Sequence, residues 1–220
     1  MNNFKLPLAV AGLWLMGLVC AMGEEKSVVV KLEDVPAAAQ KFILSESGNG
    51  KGRLGEIDKV QDADETWYDA ELIKGKERRS FSVSPEGKLL SWQVFMREIP
   101  EAARKAIREQ VQSAKGKLGD INRVVDEGKT IYEAEMAKGE REISFTVAED
   151  GRLLYLQVLI SETPEKVQKA IRAKAVGCVV TKIEKNTEDE EGEVSYDVEA
   201  EQAGKKITFS VDADGELLED

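Results

Sequence analysis

The chain contains no histidine, and only two cysteines, Cys20 and Cys178, among its 220 residues. Without an imidazole there can be no Ser-His-Asp or Cys-His arrangement and no histidine metal ligand. Cys20 lies in an apolar N-terminal stretch, so a processed chain keeps one thiol. One thiol makes neither an intramolecular disulfide nor a thiolate zinc site. No glycine-rich phosphate loop follows a strand, and no dinucleotide fingerprint is present. Positive charge is also scarce: 31 Lys and Arg stand against 42 Asp and Glu, a net charge of −11. That acidity repels nucleic acid and anionic membrane surfaces. The expectation is therefore a protein with no catalytic residues, no metal, no cofactor and no nucleic-acid partner.

What is there begins with residues 1–23. Lys5 supplies a positive charge, Leu6 to Ala21 is almost wholly apolar, and Ala21-Met22-Gly23 offers small residues for a signal peptidase. The stretch reads as a secretory signal peptide, cleaved after Gly23, which places the mature chain in the periplasm or outside the cell, with no membrane insertion. A membrane anchor is the alternative, but the apolar run is short for spanning and Glu24-Glu25 follows it. A lipid anchor through Cys20 is a third reading, against which stands the lack of a small residue beside it. The remaining thiol, Cys178, sits between Gly177 and Val179-Val180 and reads as a small core residue.

Beyond the leader the sequence repeats. At an offset of 64, ten positions hold one residue three times, among them Pro36/Pro100/Pro164, Ile43/Ile107/Ile171, Tyr68/Tyr132/Tyr196, Phe81/Phe145/Phe209 and Gly87/Gly151/Gly215. Chance gives such a triple on the order of once in several hundred positions at ordinary composition. Three units follow, over 28–96, 97–160 and 161–220, the last with a shortened final strand.

Each unit opens with proline, which suits a first helical turn. Thr163 is a good cap before it; Val35 and Ile99 are not. Over Pro100 to Ser113, Ala103, Ala106, Ile107 and Val111 recur at spacings of three and four and make one apolar face. Four strand-like runs come next. The first centres on Ile57, Ile121 and Ile183, and turns at Asp64, Gly128 and Gly192 lead to the second. There Tyr132, Ala134 and Met136 alternate with Ile131, Glu133 and Glu135. Ile143, Phe145 and Val147 alternate in the third, and Glu149-Asp150-Gly151 signals a hairpin. Val28-Val29-Val30 reads as a leading strand. The expected fold is α+β: three tandem repeats, each one helix packed on a four-stranded antiparallel meander, with Tyr132 and Phe145 under the helix.

The signal stretch, the Pro-opened helix, Tyr-x-[Ala/Val]-Glu and Phe-x-Val-x-x-[Asp/Glu]-Gly-x-Leu-Leu together resemble the PepSY-like domain, a group related to β-lactamase-inhibitor-like domains of bacterial envelopes. The resemblance implies a periplasmic or secreted binding module, in some members an inhibitor of a peptidase or other hydrolase. No inhibitory residue set carries over onto this chain.

Two features invite functional readings. Asp212-Ala213-Asp214-Gly215 looks like the start of a calcium loop, but the further oxygen ligands do not follow; an acid-Gly hairpin turn explains it and its counterparts equally. The second is the sheet face opposite the helix. It is expected to carry Trp67, Asp69, Glu71, Phe95, Ile131, Glu133, Glu135, Tyr155, Leu159, Asp197 and Glu199, beside small hydroxyls. This is either an ordinary solvated face or an acidic recognition surface with aromatic anchors for a protein or peptide. The alternative to a specific binder is an acidic cation-binding or structural envelope protein. The number of subunits is not encoded in any of these features.

Overall fold

A computed structural model describes residues 26–48, 52–62, 65–126, 128–187 and 193–218. The expected leader at 1–23, with Cys20, and the turn residues Asp64 and Gly192 lie outside the described residues. The chain divides into two compact units, Met1–Trp92 and Gln93–Asp220.

In the first unit, β1 (Lys26–Val29) pairs antiparallel with β2 (Arg53–Asp62), so the valine-rich run is a leading strand. Between them lie a 3-10 turn (Leu32–Asp34) and α1 (Ala37–Ser47). Hairpins then carry β2 to β3 (Glu65–Lys74), to β4 (Glu77–Val83) and to β5 (Leu89–Gln93). In the second unit a 3-10 turn (Met96–Glu98) leads to α2 (Glu101–Ala114), then β6 (Lys117–Asp126), β7 (Lys129–Lys138), β8 (Arg141–Ala148) and β9 (Leu153–Gln157). A further 3-10 turn (Ile160–Glu162) precedes α3 (Glu165–Lys174), β10 (Val179–Asn186), β11 (Ser195–Gln202), β12 (Lys205–Asp212) and β13 (Leu217–Leu218).

In the first unit β1 to β5 run in chain order as an antiparallel ladder, and in the second unit β6 to β13 do the same. This corrects the expected architecture of three tandem repeats, each one helix packed on its own four-stranded meander. The expected boundary at 160/161 shows the reason. Strand β9 is not an edge: Gln157, Leu156 and Tyr155 pair with Glu184, Lys185 and Asn186 of β10. An unpaired strand edge leaves a row of peptide N–H and C=O groups to be satisfied, and the next strand satisfies them. A sequence period reports the order of elements and is silent about where a ladder stops.

The helices lie where the apolar spacing puts them. Helix α2 buries Ala103 and Ile107 completely against Tyr132, Ala134, Phe145 and Val147, all at most 3% exposed. Burying a side chain such as Phe145 contributes about 1.5–3 kcal/mol. The prolines sit one step earlier than expected: Pro36, Pro100 and Pro164 are the cap residues themselves, extended and without a side-chain cap bond. Thr163 does not cap α3; its hydroxyl donates to the Ile160 carbonyl at 2.8 Å and closes the 3-10 turn.

One contact fixes each helix on its sheet. Gly151, at φ +93°, passes so close beneath α2 that a Cβ there would lie 2.8 Å from the Ala102 carbonyl oxygen. Gly87 meets Ala38 in the same way, and Gly215 meets Lys166. Glycine serves twice here, for the left-handed backbone and for the close approach.

Candidate functional site

The expected surface lies on the odd-numbered positions of β3 and β7, since the even-numbered ones enter the cores under the helices. The two units build it differently.

In the first unit Trp67 is not an exposed anchor. It is 7% exposed, opposite Val60 at 2%. The indole N–H donates to the Asp69 carboxylate, and the Ser82 hydroxyl donates to Asp69 Oδ1 at 2.5 Å. Ser91 donates in turn to Ser82 at 3.0 Å, and both serines are 5% exposed. Burial raises the Asp69 pKa; the Ser82 and Trp67 hydrogen bonds oppose that rise, and the nearby Asp58 charge adds to it. Alternation told which face Trp67 occupies but not that the face is covered there. Glu71 is tied at the far end of the strand to Arg78 Nη1, at 2.9 Å.

In the second unit Ile131 and Tyr155 remain half-buried and Leu159 is 49% exposed. Glu133 stands opposite Asn122 and Thr146, and Thr146 stands opposite Tyr155, so these side chains form one row across β6 to β9. Phe95 is half-buried under the Arg97 guanidinium, 4.5 Å from the ring centre. The Phe95 N–H also donates to Glu98 at 2.9 Å, which holds the 3-10 turn. Asp197 accepts from Ser210 at 2.5 Å, and Glu199 pairs with Lys206 at 3.1 Å.

Glu135 is the exception. Seven residues beyond Glu71 and Glu199 stand the cations Arg78 and Lys206, diagonal neighbours across the hairpin. Seven beyond Glu135 stands Glu142. Burial first, then the Glu142 and Asp120 charges, push the Glu135 pKa up to about 6. Asp120 reaches it because β6 shifts register between Leu118 and Ile121. The sequence reading missed Glu142 and Asp120. Comparing the residue opposite each glutamate at the 64-residue offset would have found Glu142.

In the last acid-Gly turn the two aspartates make contacts within the protein. Asp212 Oδ1 accepts the backbone N–H groups of Asp214 and Glu216, at 2.9 and 2.8 Å, and Asp214 pairs with Lys166 at 2.6 Å. Cys178 is half-buried against the third core cluster, with its thiol free.

Neither a family model nor a curated protein matches the sequence. Solved structures do show a partial likeness. A DUF2874 family protein from Bacteroides uniformis overlaps at TM-score 0.40 and 16% identity, covering 55% of this chain and 86% of that one. A protein from Bacteroides eggerthii, provisionally described as periplasmic, gives 0.41 and 16%, over 55% and 86%. Another provisionally periplasmic protein, of unknown function, from Bacteroides vulgatus gives 0.38 and 20%, over 59% and 97%. The PepSY-like assignment made from short motifs is corrected: no family model, that one included, matches the chain. The expectation of a hydrolase inhibitor came with that resemblance and loses its support with it.

Proposed function

We propose that this chain is a secreted or periplasmic, non-enzymatic protein that binds a cation-bearing segment of another polypeptide on the open sheet face of its second unit. The single supporting observation is the environment of Glu135. Its carboxylate faces Glu142 and Asp120 where the matching glutamates face cations, on the face that further along also carries the part-exposed Ile131 and Tyr155. A Lys or Arg from a partner would supply the missing charge, and apolar residues of the same segment would meet Ile131 and Tyr155 further along the face. The N-terminal stretch, with one lysine ahead of an unbroken apolar run, supports export. Among the described residues no helix is long and apolar enough to cross a membrane. The absence of histidine from the chain, and the engagement of Asp69 and Asp197 by serine hydroxyls, support a binding role over hydrolysis.

The test is capture from a cell-envelope extract on immobilised protein, comparing wild type with Tyr155→Ser and Glu135→Gln. Loss of a captured protein from both variants, with circular dichroism unchanged, supports the reading. An identical captured set from all three proteins shows that the face is wrongly chosen.

A further inference from the structure

Strand β1 presents an apolar edge to solvent. Val28 and Val29 are each 60% exposed, and among the described residues β1 pairs only with β2. The Val30 N–H donates to the Ile57 carbonyl at 2.8 Å, so alternation turns the peptide groups of Ser27 and Val29 away from β2. An edge with neither bulge nor proline is a template for another strand. In the second unit β12 is covered only in part. Its outer edge pairs with β13 at Ser210 and Val211, and from Phe209 back to Lys205 it has no ladder partner among the described residues. The Asp212 N–H donates to the Glu216 carbonyl at 3.0 Å, so alternation turns the peptide groups of Thr208 towards this edge. Phe209 is 8% exposed, whereas Phe81 and Phe145 are 1% and 2% exposed. Trp92 stacks on Phe81 at 5.1 Å, and Leu156 stands opposite Phe145. Among the described residues nothing stands opposite Phe209 on that side.

We infer that β1 of one copy pairs with the open edge of β12 of a second copy, so that the chain assembles head to tail. The two edges are halves of an interface the chain already builds within itself. At the 64-residue offset Val28 corresponds to Trp92 and Leu156, and Val30 to Val94 and Val158. The N–H groups of Val94 and Val158 donate to Ile121 and Ile183 as that of Val30 does to Ile57. Strand β1 is therefore the counterpart of β9, which meets β10 on one side and β8 on the other. The side of β1 left open is the one that β9 gives to β8, and β12 is the counterpart of β8. Carried over, this antiparallel register sets Val28 opposite Phe209 and Val29 opposite Thr208. Val28 then covers Phe209 as Leu156 covers Phe145, and Val29 exchanges peptide hydrogen bonds with Thr208. Ser27 takes the place of Leu218 opposite Ser210, and the leucine it displaces is 45% exposed. Each copy keeps one edge of each kind, so the contact is heterologous and propagates beyond a dimer. This inference is independent of the proposed polypeptide-binding face, because it uses strand edges.

The test is sedimentation velocity of the exported protein from about 1 μM to about 1 mM. The weight-average mass should rise with concentration past that of a dimer. Val29→Pro removes one outward N–H and leaves the β1–β2 bonds in place, since an edge strand tolerates proline there. Thr208→Pro does the same to β12. Each variant alone should stay monomeric, with circular dichroism unchanged. An equal mixture of the two should form a dimer and nothing larger, because the Val29→Pro copy still offers β12 and the Thr208→Pro copy still offers β1. That recovery also shows that both variants fold. Val28→Lys, a change at an exposed position, should weaken association by about tenfold or more. A wild-type chain that is monomeric throughout, association that survives Thr208→Pro as pairing of two β1 strands would, or a mixture that stays monomeric would each overturn the inference.

Discussion

The hairpin β3–β4 of the first unit and the hairpin β7–β8 of the second share register and buried face, and differ in what opposes one glutamate. In the first, Glu71 meets Arg78 at 2.9 Å. In the second, Glu135 meets Glu142, and its pKa rises to about 6. The hairpins also differ beneath the helix. Phe81 stacks on Trp92 at 5.1 Å and meets Phe42 edge-on at 5.9 Å, whereas Phe145 faces Leu156. The backbone is thus indifferent to both exchanges, and the chemistry of each face is set by single cross-strand neighbours.

The largest test of that contrast is in the cores. Phe145→Ala should cost about 3–5 kcal/mol through the cavity it leaves. Phe81→Ala should cost about 1 kcal/mol more, because an aromatic partnership goes with it. Chemical denaturation of both variants reads the difference; equal losses would show that the ring stack adds nothing beyond area. A midpoint for Phe145→Ala indistinguishable from wild type would refute the core assignment itself.

The turn glycines come next. Gly151→Ala should destabilise by about 2–4 kcal/mol, combining left-handed strain with a clash against the Ala102 carbonyl. Gly139→Ala, also at positive φ but with nothing within 4 Å of the new methyl, should cost only about 1 kcal/mol. Thermal melts of the pair separate the helix contact from backbone strain.

The smallest effect addresses the glutamates directly. Glu135 in the folded chain titrates near 6, above the ordinary 4.5, so the folded state holds that proton more tightly. Its contribution to stability is full below about pH 4.5 and is lost as pH rises through about 6. The group is only half-buried, so the loss is no more than about 1 kcal/mol after solvent screening. Glu142→Arg should remove this pH dependence by restoring the cation seen in the other hairpins. Arg78→Glu should create a similar dependence in the first unit. Denaturation midpoints between pH 4.5 and 7 check both, and a Glu142→Arg profile parallel to wild type would mean that burial alone sets the shift.

Much of the local structure was legible. Pro100 and the Ala103–Ile107 spacing marked a helix that runs over Glu101–Ala114. The alternation through Tyr132 and Phe145 named the side chains that enter the core. Pairing was not legible: nothing in Tyr155-Leu156-Gln157 says whether its outer edge meets solvent or β10. The 3-10 turns ahead of the helices were also unread, because Glu98 and Glu162 act on backbone N–H groups three residues back. On the candidate face, period two assigned Trp67, Glu71 and Glu135 to one side of the sheet. It could not tell that Trp67 is covered, that Glu71 is neutralised, or that Glu135 is opposed by like charge, since those depend on neighbours from other strands.

The chain-order ladder has a kinetic meaning. Each strand finds its partners next to it in sequence, directly or across one helix, so every chain closure on the way to the native state is short. Closure entropy grows only with the logarithm of the span, and rates fall as the mean separation of touching residues rises. Refolding should therefore be faster than for a β-sandwich of equal length, with growth outward from whichever hairpin forms first.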